Sequence, residues 1–342
     1  MPVGVDARPG AVYDARREES VSPSPEQPAP SAPSSRPPRP ARTRLAALAP
    51  ALLLLLGSCR STGRPAEETS QADVAAPAGE SPAAESEDLE SHLRRLRPRV
   101  PAGFTVVPEP PFVVIGEGPP AKVRPHAATV RWAVRLLREE YFDTLPSRPL
   151  DVWLFAGEES YRAWAWRLFH DRPATPYGYF SPSARALVMN IATGGGTLVH
   201  ELVHPLIHAD FPDVPPWFNE CLASLYEQSG EEDGRIVGYP NWRLPALQRR
   251  LRDGRAIPLE RLVGLSTSDF YERGTGLETA VARYVCLYLQ EQDRLARFYR
   301  EFRAAAAGDP TGVATLLRVT GEPDLASFER AWQVFVLGLS PP

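Results

Sequence analysis

His200-Glu201-Leu202-Val203-His204 sets two imidazoles and one carboxylate within five residues. On an α-helix, residues four apart share a face and stand about 6 Å apart. Both imidazoles can therefore close on one metal ion, with Glu201 beside it. The chemistry this spacing serves is metal-assisted hydrolysis: two histidines hold Zn²⁺ and a glutamate takes a proton from water. Three of the chain's six histidines crowd into nine residues here. His208 extends the row, but eight residues from His200 it stands about 12 Å along the helix, too far to share the ion.

A catalytic zinc site needs a third protein ligand and an open fourth position. Glu220 meets that need, sixteen residues after His204 in the run Pro216-Trp217-Phe218-Asn219-Glu220-Cys221-Leu222-Ala223-Ser224-Leu225-Tyr226. Pro216 suits a first helical turn, where its missing N–H costs nothing. Phe218, Leu222 and Leu225 supply apolar positions at helical spacing. A helix over this run, packed on the first, delivers the Glu220 carboxylate to the same ion. Asp210, six residues after His204, is the alternative ligand. Metzincin-like enzymes place their third ligand at that spacing and need a Gly three residues after the second histidine for a sharp turn; Ile207 stands there instead. No methionine follows the site, since Met189 precedes it.

The surrounding chain must position these groups. Residues 112–115 and 151–155 read as short buried strands, and residues 125–141 as an amphipathic helix with Val130, Val134 and Leu137 on one stripe. Residues 158–169 read as an aromatic-rich helix whose Trp164, Trp166 and Leu168 belong to a core. Residues 177–180 and 186–191 read as a hairpin with Pro and Ser in its turn. Gly194-Gly195-Gly196 reads as a flexible turn launching the active helix at Thr197. Leu198, Leu202 and Leu206 anchor that helix, and Pro205 removes one backbone hydrogen bond at a point where it can kink. Further helices are expected over 244–252, 258–262, 277–292, 295–306 and 324–337. The fold class expected is α+β: a small mixed sheet with helices in an upper lobe, a helical lower lobe, and the ion between them.

The two helices, with His200-Glu201-Leu202-Val203-His204 on one and Trp217-Phe218-Asn219-Glu220-Cys221-Leu222-Ala223-Ser224 on the other, resemble the gluzincin clan of zinc metallopeptidases. Its members carry H-E-x-x-H followed by N-E-G-x-A or a close variant. The chain is most similar there to the peptidase MA-like bacterial proteins, many of them lipoproteins. The likeness extends over most of the chain after residue 100 and is close only at the two helices. It implies a zincin (thermolysin-like) fold, one Zn²⁺ on His200, His204 and Glu220, and Glu201 as general base. It also implies that strand 186–191 forms the sheet edge that binds extended substrate, with Ala186, Val188 and Asn190 along the peptide. Cys221 stands where the family usually has Gly, and Thr279 where it commonly offers a Tyr to the oxyanion. Tyr284, Tyr271 and His208 are the remaining candidates for that donor. Ser224, one helical turn after Glu220, is a candidate to hold a ligand imidazole. The implied activity is peptide-bond cleavage, as an endopeptidase. The alternative is an inactive zinc-binding module that binds peptides or envelope proteins.

The first ninety residues concern location. Arg42 and Arg44 precede an apolar run at 45–56, followed by Gly57-Ser58-Cys59. That run is short for a bilayer span and suits a signal-peptide core. Leu56-Gly57-Ser58-Cys59 resembles a bacterial lipobox, which would lipidate Cys59 and anchor the chain at the cell envelope. Residues 1–40 form a Pro-, Ser- and Arg-rich leader, an unusual prefix for a signal peptide at 41–59 and consistent with a start codon further in. Residues 60–91, acidic and poor in aromatic or branched side chains, read as a tether. Residues 100–340 are then the catalytic domain. The net charge of −4 over 342 residues gives no electrostatic case for nucleic acid. The expected partners are a peptide or protein substrate and, through the lipid, a membrane. With Cys59 committed to lipid, Cys221 and Cys286 remain. Parity alone is thin support for a disulfide, so buried, reduced thiols are expected.

Overall fold

A computed structural model describes residues 88–173, 175–181, 183–271 and 274–342. The leader, the segment with Cys59 and the tether up to residue 87 lie outside the described residues. The first element is helix α1 (Leu89–Leu96), begun by Asp88, whose carboxylate accepts from the Ser91 amide at 2.9 Å. Folded chain therefore starts inside the stretch read as tether and ahead of residue 100. Leu93 and Leu96 are buried, so the helix is held by packing.

Strands β1 (Phe104–Glu109) and β2 (Phe112–Glu117) form a hairpin. Helix α2 (Pro120–Glu140) opens on a proline in its first turn and leads to β3 (Leu150–Phe155). Helix α3 (Glu158–Trp164) then loosens into a π-helical turn over Ala165–Phe169. Strands β4 (Gly178–Ser181) and β5 (Ala186–Asn190) make the expected hairpin. The five strands lie in the order β1-β2-β3-β5-β4, with β2, β3 and β5 parallel and the two outer strands antiparallel.

The parallel strands read as unbroken apolar runs because both sheet faces are covered. Phe112, Val114, Val152, Leu154, Leu187 and Met189 point into the larger core with α2. Val113, Ile115, Trp153, Phe155, Ala186 and Val188 point into a smaller core closed by α1 and α3. The structure corrects one expectation here: residues 186–191 are not the sheet edge. β5 lies between β3 and β4, because its hairpin partner folds back along its outer side. Ala186 and Val188 are buried, and Asn190 spends its side chain locally, donating to the Pro176 carbonyl and accepting from the Ala192 amide. The outer strand on that side of the sheet is β4.

Helices α4 (Gly195–Asp210) and α5 (Pro216–Leu225) follow, then a small hairpin of β6 (Ser229–Glu232) and β7 (Arg235–Gly238). Its turn, Asp233-Gly234, has positive φ at both residues, the geometry that Asp-Gly favours in tight hairpins. The rest is helical: α6 (Leu244–Arg252), α7 (Leu259–Val263), α8 (Thr267–Tyr271), α9 (Leu277–Glu291), α10 (Leu295–Ala305), α11 (Val313–Thr320) and α12 (Leu325–Gly338). β1, β6, β7, α1, α8 and α11 are additions to the sequence reading. The fold is a mixed α and β architecture, a five-stranded mixed sheet continuing into a helical half. No helix among the described residues is long and apolar enough to cross a membrane.

Candidate metal centre

Helix α4 starts two residues earlier than the sequence suggested. Gly194 caps it with φ of +105°, a conformation open to glycine. Gly196 is not a flexible hinge: a Cβ there would meet the Glu227 carbonyl oxygen at 2.0 Å. Only a glycine lets the first turn of α4 approach the chain that leaves α5. Leu198, Leu202 and Leu206 are fully buried and seat the helix, and α4 packs on both α2 and α5. Pro205 lies inside the helix, which runs on to Asp210.

His200, His204 and Glu220 come together in the protein interior. Each offers one ligand atom, and these atoms all lie within 4.8 Å of one another. His200 Nε2 stands 3.9 Å from Glu220 Oε2, and His204 Nε2 stands 3.7 Å from Glu220 Oε1. The imidazole centroids are 4.9 Å apart. All three residues are buried, as is Glu201.

Both imidazoles are braced from behind. His200 Nδ1 is 3.2 Å from Glu227 Oε1. Glu227 is itself held by Arg243, at 2.8 Å through Nη2 and 3.2 Å through Nε, and by Asn241 Nδ2 at 3.1 Å. His204 Nδ1 lies 2.9 Å from Asn219 Oδ1, and Asn219 Nδ2 donates to the Tyr271 hydroxyl at 3.2 Å. The Asn219 amide oxygen facing His204 Nδ1 favours the ring proton there and turns the Nε2 lone pair toward Glu220, while Glu227 stands at ion-pair distance from His200 Nδ1. This is the outer-shell arrangement of a metal-ligating histidine pair.

Charge points the same way. Burial alone would lower the His200 pKa, but Glu227, Glu220 and Glu201 outweigh it and the pKa is raised. Two buried carboxylates, Glu201 and Glu220, and the part-buried Glu227 therefore surround the pair, with Arg243 as the guanidinium that answers Glu227. A buried charge needs a counter-charge, and a cation among these ligand atoms would supply it. His200 Nε2 makes no hydrogen bond among the described residues, as a donor atom reserved for a metal would not. The donor set of two imidazoles and one carboxylate can hold a metal ion.

Several sequence candidates fall elsewhere. Asp210 is no ligand: it accepts from Tyr299 Oη at 2.7 Å and the Thr144 amide at 2.7 Å, and pairs with Arg303. Ser224 holds no imidazole; its hydroxyl donates to the Glu220 carbonyl at 2.5 Å, one turn back along α5. Tyr284 is committed to the Asn241 backbone, accepting from N at 3.1 Å and donating to O at 3.3 Å. His208 faces the Pro212 carbonyl, and burial lowers its pKa. Thr279 is buried on α9. Of the oxyanion candidates, Tyr271 is one residue removed from a ligand imidazole, through Asn219, and Tyr284 is two removed, through Asn241 and Glu227.

Cys221 and Cys286 form a disulfide, with Cα atoms 5.5 Å apart. This overturns the expected free thiols. The bridge fastens α5 to α9 one residue after Glu220, and the pairing required knowing that these helices are neighbours. Asn219 and Glu227 went unread as braces. Glu227 carried no periodic signal, since it lies past the end of α5. No protein-family model matches the chain, and no curated protein matches it.

Proposed function

We propose that this chain is a zinc-dependent metallopeptidase of gluzincin type, lipid-anchored at a bacterial cell envelope. The observation that carries the reading is the buried convergence of His200, His204 and Glu220 with an acceptor behind each Nδ1. It fits the resemblance of the two helices to the peptidase MA-like proteins and a zincin fold. Zn²⁺ would be held by His200, His204 and Glu220, one per chain, and would supply a water of lowered pKa and a Lewis acid for the carbonyl.

The chain's own groups do the rest. Glu201, buried and near enough to raise the His200 pKa, accepts a proton as water oxygen attacks the peptide carbonyl carbon. It then returns that proton to the nitrogen as the C–N bond breaks. Glu227 and Asn219 keep the imidazoles oriented while charge develops. Tyr271 is the candidate to steady the oxyanion. The outer edge of β4 replaces 186–191 as the strand along which an extended peptide would pair.

The disulfide supports an exported location, since such bonds persist in oxidising compartments; lipidation would be at Cys59. The second reading, an inactive zinc-binding module for peptides or envelope proteins, is favoured by Tyr284, whose hydroxyl is committed to backbone. Glu201→Gln separates the two. The peptidase reading expects peptide cleavage by the wild type, a loss of at least about a hundredfold in the variant, and unchanged zinc content. A folded, zinc-loaded wild type that cuts no peptide in a library would leave the binding module.

A further inference from the structure

Outside the metal cluster, the surface where α6 meets α12 stands out for cations that no acid answers. Arg249, Arg250 and Arg252 lie in the last turn of α6. Gly254, with φ of +64°, turns the chain back so that the Arg255 amide donates to the Arg250 carbonyl at 2.8 Å. Arg249, Arg250, Arg252 and Arg255 thus surround one helix end. All are exposed, and none pairs with a carboxylate among the described residues, the neighbouring Asp253 included. The field of a helix C-terminus accounts for a cation there, not for this crowding, since like charges three apart on a helix repel. Elsewhere in the helical half, surface arginines are answered: Arg235 by Glu140 and Asp293, and Arg297 and Arg318 by Glu301.

Helix α12 lies alongside. Leu244 and Leu247 of α6 bury in the same core as Phe328, Trp332 and Val336 of α12, so the opposite faces of both helices look outward together. Gln248 joins them, its amide donating to the Val336 and Leu339 carbonyls at 2.9 Å each. Arg252 stands one turn along α6 from Gln248 on the same face, beside the end of α12. The outward stripe of α12 runs Arg330, Val334, Leu337, at helical spacing. Val334 is 74% exposed and Leu337 37%, in a protein that leaves few large apolar side chains in solvent. That stripe holds no acid; Glu329, beside it in sequence, accepts from the Gln333 amide at 3.4 Å.

We infer that the outward faces of α6 and α12 form a contact surface for an anionic phospholipid bilayer. Apolar side chains standing out from a helix, flanked by unanswered guanidinium groups, match the chemistry of a headgroup layer. Lipid phosphates meet the arginine N–H edges in fork geometry, while Val334 and Leu337 reach the boundary of the acyl chains. The inference rests on the envelope placement proposed above for the presence of a bilayer, and neither on the metal site nor on lipid at Cys59. It would lay one face of the catalytic domain on the membrane, where a tether alone leaves the domain free to turn.

The test is co-sedimentation of the full chain carrying Cys59→Ala, so that no lipid anchors it. The vesicles are phosphatidylcholine alone or phosphatidylcholine with phosphatidylglycerol. Binding through the apolar run at 45–56 is common to every variant, so the readout is the preference for anionic over neutral vesicles. Arg249→Gln, Arg250→Gln and Arg252→Gln together should cut that preference about tenfold or more. A charge-matched control in the exposed Arg97, Arg124 and Arg138, each to Gln, should keep most of it. Val334→Ser with Leu337→Ser should weaken binding to anionic vesicles about threefold, and the preference should fade as salt is raised. An undiminished preference in the α6 variant, or an equal loss in the control, would overturn the inference. A chain that dimerises without lipid, and becomes monomeric with Val334→Ser and Leu337→Ser, would overturn it in favour of a second copy. Zinc binding and peptide cleavage without an α6-dependent preference remove this surface and leave the metallopeptidase. That preference in a chain that holds no zinc removes the metallopeptidase and leaves this surface.

Discussion

Behind His200 stands an ion pair, the part-buried Glu227 with Arg243, the arginine side chain only 2% exposed. Behind His204 stands a neutral amide, Asn219, leaning on a phenol, Tyr271. The two imidazoles do the same geometric work with different chemistry. An ionic brace polarises its ring strongly but leaves a charge stranded when one member is removed. An amide brace fixes orientation with less electrostatic pull and little to strand. The two also differ in reach. The His204 brace is adjacent in sequence to Glu220, whereas the His200 brace gathers a residue past the end of α5 and two from beyond the β6–β7 hairpin.

The largest expected effect comes from cutting the ionic brace. Glu227→Ala removes the carboxylate that the buried Arg243 side chain meets at 2.8 Å, at a cost of about 3–5 kcal/mol in stability. Zinc affinity should fall about 10- to 100-fold, as for other removed outer-shell partners. Thermal unfolding of the metal-free chain and competitive zinc titration read the two effects separately. A variant as stable as the wild type would mean that losing the carboxylate strands no charge and that the contrast is wrong.

Next comes the bridge that holds α5, and so Glu220 and Asn219, against α9. Replacing Cys221 and Cys286 together by Ala should cost about 3–4 kcal/mol, given the 65 residues that separate them. Denaturant unfolding with and without reductant checks it, since reductant should destabilise the wild type and leave the variant unchanged. The smallest effect belongs to the neutral brace. Asn219→Ala should cost about 1–2 kcal/mol and weaken zinc about tenfold. If it cost as much as Glu227→Ala, charge would not be what distinguishes the two sides.

The same contrast between local and distant partners explains what could be read from sequence. His200, Glu201, His204 and Glu220 lie on two consecutive helices, and helical period alone brings each pair of groups to one face. β2, α2, β3 and the β4–β5 hairpin were legible for the same reason, as runs of one periodicity bounded by turn residues. What failed depended on distant neighbours. The hairpin did not announce which of its strands would pair with β3, so Ala186, Val188 and Asn190 were placed at an edge they do not occupy. Asp210 looked like a ligand until Tyr299 and Arg303, on α10, claimed its carboxylate. Ser224 and Tyr284 looked available until backbone atoms claimed their hydroxyls. The Gly run was read as freedom, whereas Gly196 is required by contact with Glu227, thirty-one residues on.

The most direct test of the central claim, one cation site made by His200, His204 and Glu220, is metal content per folded chain. Full-length wild type, Glu220→Ala and Asp210→Asn would each be equilibrated with zinc, separated from free metal and analysed by mass spectrometry. One zinc per chain in the wild type and in Asp210→Asn, with loss in Glu220→Ala, is the predicted result. Zinc lost in Asp210→Asn but kept in Glu220→Ala, or no zinc in a folded wild type, would contradict it.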